Sequence, residues 1–327
     1  MGRKRMRKGK IRAMGVLGIG TYQYRAVQWL FFFYFYCLFG WVFESAYVSL
    51  KKRHFVNRGF MRGPFLPLYG SGAIMMLVVS APFKEQLVLV YVAGCIGATV
   101  LEYVTGVVME ALFKVRYWDY SNQPFNFQGH ICLSSTLAWG GLTLLMTQIL
   151  HKPVERFVLS IPMSVLAPVT FLITLVLVAD FSLSFKAAMD IRDILVKLEK
   201  AKEEVERMSK RLDVLIAVVN DDVDTWKQEK EEKLGVLKLG MEERFESLKE
   251  AISEKQNGYF VEIREELAEL REKYHINLEL AKQLKSFKDI YKRGMLRGNP
   301  MMVSEKFKEA LEDLKEAVSE RKNKKDK

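Results

Sequence analysis

Four long apolar stretches are the feature that most constrains how this chain folds. A helix needs about 20 apolar residues to cross the hydrocarbon core of a bilayer. Four segments approach that length, at 26–48, 87–113, 131–150 and 157–179. A fifth segment, 66–81, is shorter and lies among Pro64, Pro67 and Pro82, so it either spans the bilayer or re-enters it. We therefore expect an all-α polytopic membrane bundle with about five spans.

The charged residues divide the chain into two unlike halves. Residues 1–185 contain 18 Lys and Arg against 7 Asp and Glu, whereas residues 186–327 contain 32 of each kind. The net charge of +11 therefore belongs to the apolar half, as in membrane proteins whose short loops are basic. A nucleic-acid-binding tail would concentrate positive charge on itself. We expect the lipid bilayer, and no nucleic acid, as a partner.

The sequence lacks the residue sets that hold metals, cofactors or nucleotides. Its three cysteines and four histidines are dispersed, whereas structural zinc sites use closely spaced ligands. It has no G-x-x-x-x-G-K-[ST] run, so the chain is not expected to be an ATPase. With no nucleophile–base pair either, we expect neither enzymatic activity nor a cofactor.

Basic residues in the short loops predict the orientation of the bundle. The loops after the predicted spans 26–48 and 87–113 are the most basic. The first loop contains Lys51, Lys52, Arg53, Arg58 and Arg62, and the second contains Lys114 and Arg116. With five spans, this bias places both loops and the C-terminal tail in the cytoplasm, and we expect a bacterial plasma membrane. The seven basic residues within 1–12 oppose an external N-terminus. Initiation at Met14, or a second segment that does not span, would each remove that conflict.

Two glutamates lie inside the predicted spans. Glu44 is near the cytoplasmic end of the span 26–48, and Glu102 is 11 residues before the end of the span 87–113. An acid at such a depth costs a few kcal/mol and usually turns toward the bundle interior. Two roles are open for these acids: a hydrogen-bonded group that fixes helix packing, or a binding or relay group in a transport path.

The two cytoplasmic loops mix glycine, proline, aromatic and polar residues, in "NRGFMRGPFLPLYG" and "YWDYSNQPFNFQGHICL". An interfacial aromatic belt explains the tyrosines and tryptophan but explains the polar residues less well. We therefore expect both loops to fold under the bundle, against the two in-span acids. The hypothetical binding site then comprises Glu44, Arg58, Glu102, Tyr103, Trp118, Asp119, Tyr120 and Asn126.

At these motifs the sequence resembles a known family. "FGWVFESAYVSLKKRHFVNRGFMRGPFLPLYG" and "ATVLEYVTGVVMEALFKVRYWDYSNQPFNFQGHICL" resemble the bacterial membrane proteins described as putative ABC-transporter type IV, the CmpB family. The resemblance covers roughly residues 28–180. It implies a permease and leaves the substrate open. Gln123 and His130 depart from the arginines of many relatives.

The tail beyond the bundle has a different pattern. Apolar residues alternate in steps of three and four over 191–219, and shorter amphipathic stretches follow at 234–252 and 260–274. This repeat is typical of coiled-coil helices. The helices either pair with another chain or fold back on one another. We divide the chain into a basic N-terminal segment (1–25), a transmembrane domain (26–182) and a cytoplasmic helical, coiled-coil-like tail (183–327).

Two functions from different classes fit this sequence. The first is a permease-like or transporter-associated subunit that works with a separate nucleotide-binding subunit or another cytoplasmic protein. The second is a membrane-anchored scaffold whose tail recruits partners or forms a homo-oligomer. Under the first function Glu102 is essential and the tail accessory, whereas under the second the tail is essential.

Overall fold

The computed structural model describes residues 16–19, 22–221, 240–253, 258–285 and 289–323. The basic start of the chain and Met14 lie outside these ranges, as do the heptad positions within 222–239. The described helices are α1 (Ala26–Lys52), α2 (Pro67–Ser80), α3 (Leu87–Phe113), α4 (Leu133–Leu145), α5 (His151–Ser160), α6 (Met163–Asp221), α7 (Met241–Ser253), α8 (Gly258–Lys285), α9 (Ile290–Gly298) and α10 (Lys308–Asn323).

Short elements complete the described fold. Strands β1 (Val16–Ile19) and β2 (Tyr22–Arg25) form one antiparallel hairpin, and β3 (Asn126–Phe127) and β4 (Ile131–Cys132) form another. A 3₁₀ turn, Ala81–Phe83, follows α2, and a π-helical turn, Met146–Leu150, joins α4 to α5.

Four helices of the described chain are long and apolar enough to cross a membrane, which confirms the all-α polytopic bundle. They are Ala26–Lys52, Leu87–Phe113, the continuous Leu133–Ser160 and the apolar part of Met163–Val219. The segment predicted as a fifth span is a shorter apolar helix, Pro67–Phe83. The helix predicted at 131–150 continues to Ser160, where Pro162 follows and limits the residue before it to extended backbone.

Helix α2 is short because the chain before it turns back along α1. Arg53 ends α1 with a left-handed backbone, φ 56°, which reverses the chain direction. Residues 53–66, here loop 1, then run back until the Leu66 amide donates to the carbonyl of Cys37, near the middle of α1, at 3.0 Å. Non-helical backbone at this depth is tolerated where it is buried in protein, and here α1 supplies its partners.

Residues 114–132, here loop 2, follow α3 in the same manner. Lys114 ends α3 with φ 61°, and the loop returns along the helix until the His130 ring lies against Gly106. We call the end of the bundle that carries loops 1 and 2 the motif face. The opposite end, which carries the β1–β2 hairpin, is the far face.

Small residues allow the helices of the bundle to approach closely. A Cβ atom on Gly94 of α3 would overlap Thr143 of α4, and one on Gly97 would overlap Val79 of α2. Glycine at such contacts is typical of membrane helices, which associate through close packing. Helix α3 therefore lies in contact with both α2 and α4, and its polar side chains can be enclosed by protein.

The chain divides into two compact units: residues up to 192 together with 288–327, and residues 193–287. The first unit therefore contains α9 and α10, which the sequence-based division had assigned to the tail. Within it, Asp190 and Lys292 form an ion pair at 2.8 Å. The chain thus leaves and rejoins this unit at neighbouring points, and 193–287 has the connectivity of an insertion.

The second unit has a hydrophobic core of its own. Predicted heptad residues of α6 pack against α7 and α8 in one cluster, which comprises Leu212, Leu215, Ile216, Val219, Phe245, Leu248, Ile252, Ile263 and Leu267. Two ion pairs, Arg211 with Glu266 and Arg271 with Glu246, join the same helices at the surface. These described helices fold back on one another within one chain, and pairing with another chain stays a prediction.

Candidate functional site

The carboxylate of Glu102 lies inside the bundle, and only 5% of the residue is exposed. Three neutral groups donate hydrogen bonds to it: the indole of Trp139 at 2.9 Å, the hydroxyl of Tyr120 at 3.1 Å and the hydroxyl of Ser135 at 3.3 Å. Trp139 and Ser135 are four residues apart and share one face of α4, while Tyr120 comes from loop 2. No Lys or Arg of the described chain forms an ion pair with Glu102.

Glu44, the other in-span acid, is held by a cation and a tyrosine. The hydroxyl of Tyr69, at the start of α2, donates to one of its oxygens at 2.5 Å, and the Nε of Arg58 lies 3.4 Å from the other. Loop 1 is fixed against α1 by further bonds. The amide of Arg58 donates to Ser45, and the indole of Trp41 donates to Asn57 at 2.6 Å.

The hydroxyl of Tyr120 donates to Glu102 and is influenced by the charge of Glu44. Burial, the charge and hydrogen bond of Glu102 and, more weakly, the charge of Glu44 raise the pKa of Tyr120 above its ordinary value. Its hydroxyl therefore keeps its proton and acts as a hydrogen-bond donor. We call the group of Glu44, Arg58, Tyr69, Glu102, Tyr120, Ser135 and Trp139 the inner site.

A second charged network lies nearer the surface of the motif face. Arg116 binds Glu110 at 2.7 Å and Glu305 at 2.6 Å, and it lies 3.8 Å from Asp119. The imidazole of His130 lies 3.1 Å from the same Glu110 carboxylate. This network joins the end of α3 to loop 2 and to the C-terminal part of the chain.

Comparison with known families bears on the segment that builds this face. Residues 31–185 match the profile of the family described as Putative ABC-transporter type IV. The resemblance drawn from the two motifs is thereby confirmed over this segment. No curated protein and no solved structure matches the chain.

The family segment contains every residue of the inner site and both loops. It ends in the first part of α6, before the unit formed by 193–287 and before α9 and α10. The chain is therefore a multi-pass membrane protein with a segment of a transporter-associated family. The site itself is a property of the geometry, and its use for binding is a proposal.

The structure pairs Glu44 with Arg58 and Glu102 with Tyr120, and the other four predicted site residues, one of them in α3, support loop 2. Glu44, Arg58, Glu102 and Tyr120 are in the inner site. Tyr103 donates to Gln128 at 3.0 Å, and the Trp118 indole donates to the carbonyl of His130. Asp119 accepts from Ser121, and Asn126 donates to the carbonyls of Ser121 and Gln123. These four side chains shape the loop that carries Tyr120.

Three residues of the inner site lie outside the hypothetical binding site drawn from the sequence. Tyr69 follows the proline-rich end of loop 1, and its position opposite Glu44 depends on how that loop returns. Ser135 and Trp139 are ordinary residues of an apolar helix. Their four-residue spacing beside Glu102 is a usable signal only once α3 and α4 are known to be neighbours.

The far face contains a second polar cluster that the sequence did not reveal. His151 is buried, and its two ring nitrogens lie 3.1 Å from the hydroxyl of Tyr24 and 2.8 Å from that of Tyr36. Tyr24 also donates to Glu155 at 2.5 Å. These contacts tie β2, α1 and α5 together. Among the described residues, no group of three or more His, Cys, Asp or Glu side chains could hold a metal ion.

Proposed function

We propose that this protein is a permease-like or transporter-associated subunit of a bacterial plasma membrane, and that the inner site is its binding or relay site. The observation that carries the proposal is the environment of Glu102. A carboxylate within a membrane helix is costly and is most often functional. Here neutral donors alone hold it, although a purely structural acid is usually paired with a cation.

The charges of the inner site indicate which ligand it suits. Arg58 offsets the charge of Glu44, so Glu102 leaves one negative charge without a cation among the described residues. A buried, uncompensated charge is unfavourable in a medium of low dielectric constant. A proton or a ligand with a cationic group would neutralise it. Loops 1 and 2 give this site its route to the motif face.

A separate subunit would supply the driving force if transport uses ATP. The chain has no phosphate-binding loop of the Walker type, and the family description names an ABC transporter. We propose that a nucleotide-binding subunit or another cytoplasmic protein binds the motif face or the unit formed by 193–287. Both surfaces are cytoplasmic in the predicted orientation.

Purification of the full-length protein from its native membrane in mild detergent tests this proposal. The proteins that co-purify are identified and quantified by mass spectrometry. A nucleotide-binding subunit present in stoichiometric amount is the expected result. A variant with residues 193–287 replaced by a short linker, purified in parallel, shows whether that unit holds the partner. A preparation without any ATPase contradicts the ATP-driven form of the proposal.

A scaffold is the second candidate function, because 193–287 forms a unit with its own core. Its helix α8 also leaves Ile276, Leu278 and Leu280 exposed, and exposed apolar side chains are common where partners bind. Complementation of a gene-deletion strain separates the two functions. If the protein is a permease, Glu102→Gln does not restore growth of the deletion strain and the variant lacking 193–287 does. The opposite pair of results supports the scaffold.

A further inference from the structure

The C-terminal part of the chain closes over the motif face. Residues 289–307, here the strap, comprise α9 and the nine residues that follow it. The strap lies outside the segment that matches the transporter family. It begins beside loop 1, where Arg62 donates to the carbonyl of Ile290 at 3.2 Å and stacks over the ring of Tyr291. Residues about 230 positions apart thus meet at this face.

Asn299 is the centre of the contact between the strap and loop 1. Only 1% of the residue is exposed, and all its hydrogen-bonding groups are used. Its amide donates to the carbonyls of Gly59 and Met295, each at 2.9 Å. Its Oδ1 accepts from Nη1 of Arg58, also at 2.9 Å. Asn299 is therefore attached both to the backbone of loop 1 and to the cation that faces Glu44.

The strap holds Arg58 more closely than Glu44 does. The Nη1 atom of Arg58 has two acceptors on the strap, Asn299 at 2.9 Å and the carbonyl of Gly298 at 3.3 Å, whereas its Nε lies 3.4 Å from Glu44. The fork of donors on a guanidinium is rigid. The two strap oxygens therefore decide where the whole group lies relative to the acid.

The strap also reaches loop 2. Val303 and Arg116 exchange backbone hydrogen bonds of 2.7 and 2.9 Å, and the hydroxyl of Ser304 donates to the carbonyl of Lys114 at 2.7 Å. The hydroxyl of Tyr117 donates to the sulfur of Met295. The strap thus contacts both loops of the motif face.

The contacts of the strap with loops 1 and 2 are mostly hydrogen bonds, which water can replace when a segment opens. The buried side chains of Met302 and Phe307 keep the strap packed on the fold. In addition, an open surface pocket lies between loop 1, α6 and the start of the strap, where Arg62, Asp180 and Tyr291 line it. The strap therefore begins at the surface and not in a closely packed interior.

We propose that the strap is a lid over the inner site and that Asn299 is a positioning residue that holds Arg58 beside Glu44. The lid rests on the proposed function, because it matters only if the inner site is used. When the strap lifts, Arg58 loses two acceptors and the route between loops 1 and 2 opens. When the strap lies against loops 1 and 2, Arg58 is fixed and the inner site is closed at the motif face.

Hydrogen–deuterium exchange of the full chain in lipid nanodiscs tests the lid without any substrate. In the wild type, amides of 301–305 and of 57–62 should exchange at similar rates and at least tenfold faster than those within α3. Asn299→Ala should speed exchange in both of these segments by about tenfold to a hundredfold, since it removes three hydrogen bonds, one of them to a cation. Met301→Ala is the matched control, because Met301 belongs to the strap and is 63% exposed.

A second substitution separates positioning of Arg58 from support of the backbone. Asn299→Asp keeps the oxygen that accepts from Arg58 and loses both donations, to Gly59 and to Met295. If Asn299 acts by positioning Arg58, exchange at 57–62 in this variant stays within about threefold of the wild type, because the bond to the guanidinium becomes charge-assisted. If Asp behaves like Ala, Asn299 supports the backbone and the positioning role is refuted.

Two other outcomes would overturn the lid. A strap that exchanges as slowly as α3 is a fixed part of the fold, and loops that Asn299→Ala leaves unchanged are not closed by the strap. Co-purification of partners and complementation, which test the proposed function, do not enter this measurement. An exchange result that contradicts the lid therefore does not contradict the permease proposal. Likewise, a result that contradicts the permease proposal does not change the exchange result.

Discussion

Replacement of Glu102 tests whether its carboxylate is held by the three donors seen in the structure. In Glu102→Leu, Tyr120 and Trp139 each lose the one hydrogen-bond acceptor that the described chain gives them. Ser135 keeps the carbonyl of Cys132 at 3.0 Å. A buried donor without an acceptor costs about 1–3 kcal/mol. The expected loss for Leu is therefore about 2–6 kcal/mol.

Glu102→Gln should cost less than Leu. Its carboxamide keeps one oxygen that can accept from two donors, but the amide group then faces the third. One unsatisfied group remains, so the expected loss is about 1–3 kcal/mol. Glu85 offers a matched control, because it is an exposed acid at the far face. Glu85→Gln should change the stability by no more than about 0.5 kcal/mol.

Thermal unfolding of the purified full chain in detergent, followed by tryptophan fluorescence, measures this series. For a domain of this size, 1 kcal/mol corresponds to a shift in Tm of about 2–4 °C. The Tm should fall in the order wild type, Gln, Leu, with Gln about 2–12 °C below the wild type. A Leu variant that is as stable as the wild type would refute the reasoning, because the three donors would then not depend on Glu102.

Three further predictions concern the rest of the molecule. Asp190 and Lys292, which flank 193–287, form an ion pair, so replacement of 193–287 by a short Gly-Ser linker should leave a membrane-inserted protein that elutes as one symmetrical gel-filtration peak. Aggregation would show that the insertion is needed for folding. Leu212 is fully buried in the core of that unit, so Leu212→Ala should cost about 2–5 kcal/mol and speed hydrogen exchange of α7 and α8 but not of α3. Burial and the charge of Glu155 raise the pKa of Tyr22 from 10.0 to about 12. The folded state then holds this proton more tightly than the unfolded state. The contribution of Tyr22 to the free energy of unfolding should therefore be constant below pH 10 and fall between pH 10 and 12. When unfolding is measured against pH, the fall should be smaller in Tyr22→Phe.

The sequence predicted the bundle well because its spans depend on local properties. Length and hydropathy suffice to find a helix that crosses lipid, and four such helices are present. The segment 66–81 was ambiguous for a physical reason. Its length as a helix depends on loop 1 returning to Cys37, and that return is a tertiary contact that no local pattern contains.

The candidate site was predictable only where chemistry is unusual for its surroundings. Glu44 and Glu102 stand out because acids are rare inside spans, and Tyr120 stands out in a polar loop. Trp139 looks like any residue of an apolar helix, so its hydrogen bond to Glu102 could not be inferred. Asn299 could not be inferred either, since it meets Arg58 across 241 positions of sequence.

The strap illustrates what the composition of a segment does not reveal about its contacts. Residues 289–323 have the polar, amphipathic composition of a tail, yet they pack in the same unit as the bundle. Composition reports how much apolar surface a segment can bury. It does not report that the segment supplies acceptors to a particular arginine. Contacts made by a few polar atoms leave little trace in a hydropathy pattern.

The motif face consists of two similar halves, α1 with loop 1 and α3 with loop 2. In each half a helix with an in-span acid ends at a basic residue with a left-handed backbone, Arg53 or Lys114. A loop then returns along that helix, and a tyrosine donates to the acid, Tyr69 at 2.5 Å to Glu44 and Tyr120 at 3.1 Å to Glu102.

An acid inside the membrane and a polar loop at the same depth are each unfavourable alone, because each lacks hydrogen-bond partners in lipid. Placed together, each supplies partners to the other. The halves differ in one respect: Glu44 also has Arg58, whereas Glu102 has only neutral donors. That difference is why we propose the binding or relay role for Glu102. The other half contains Arg58, to which the strap supplies two acceptors.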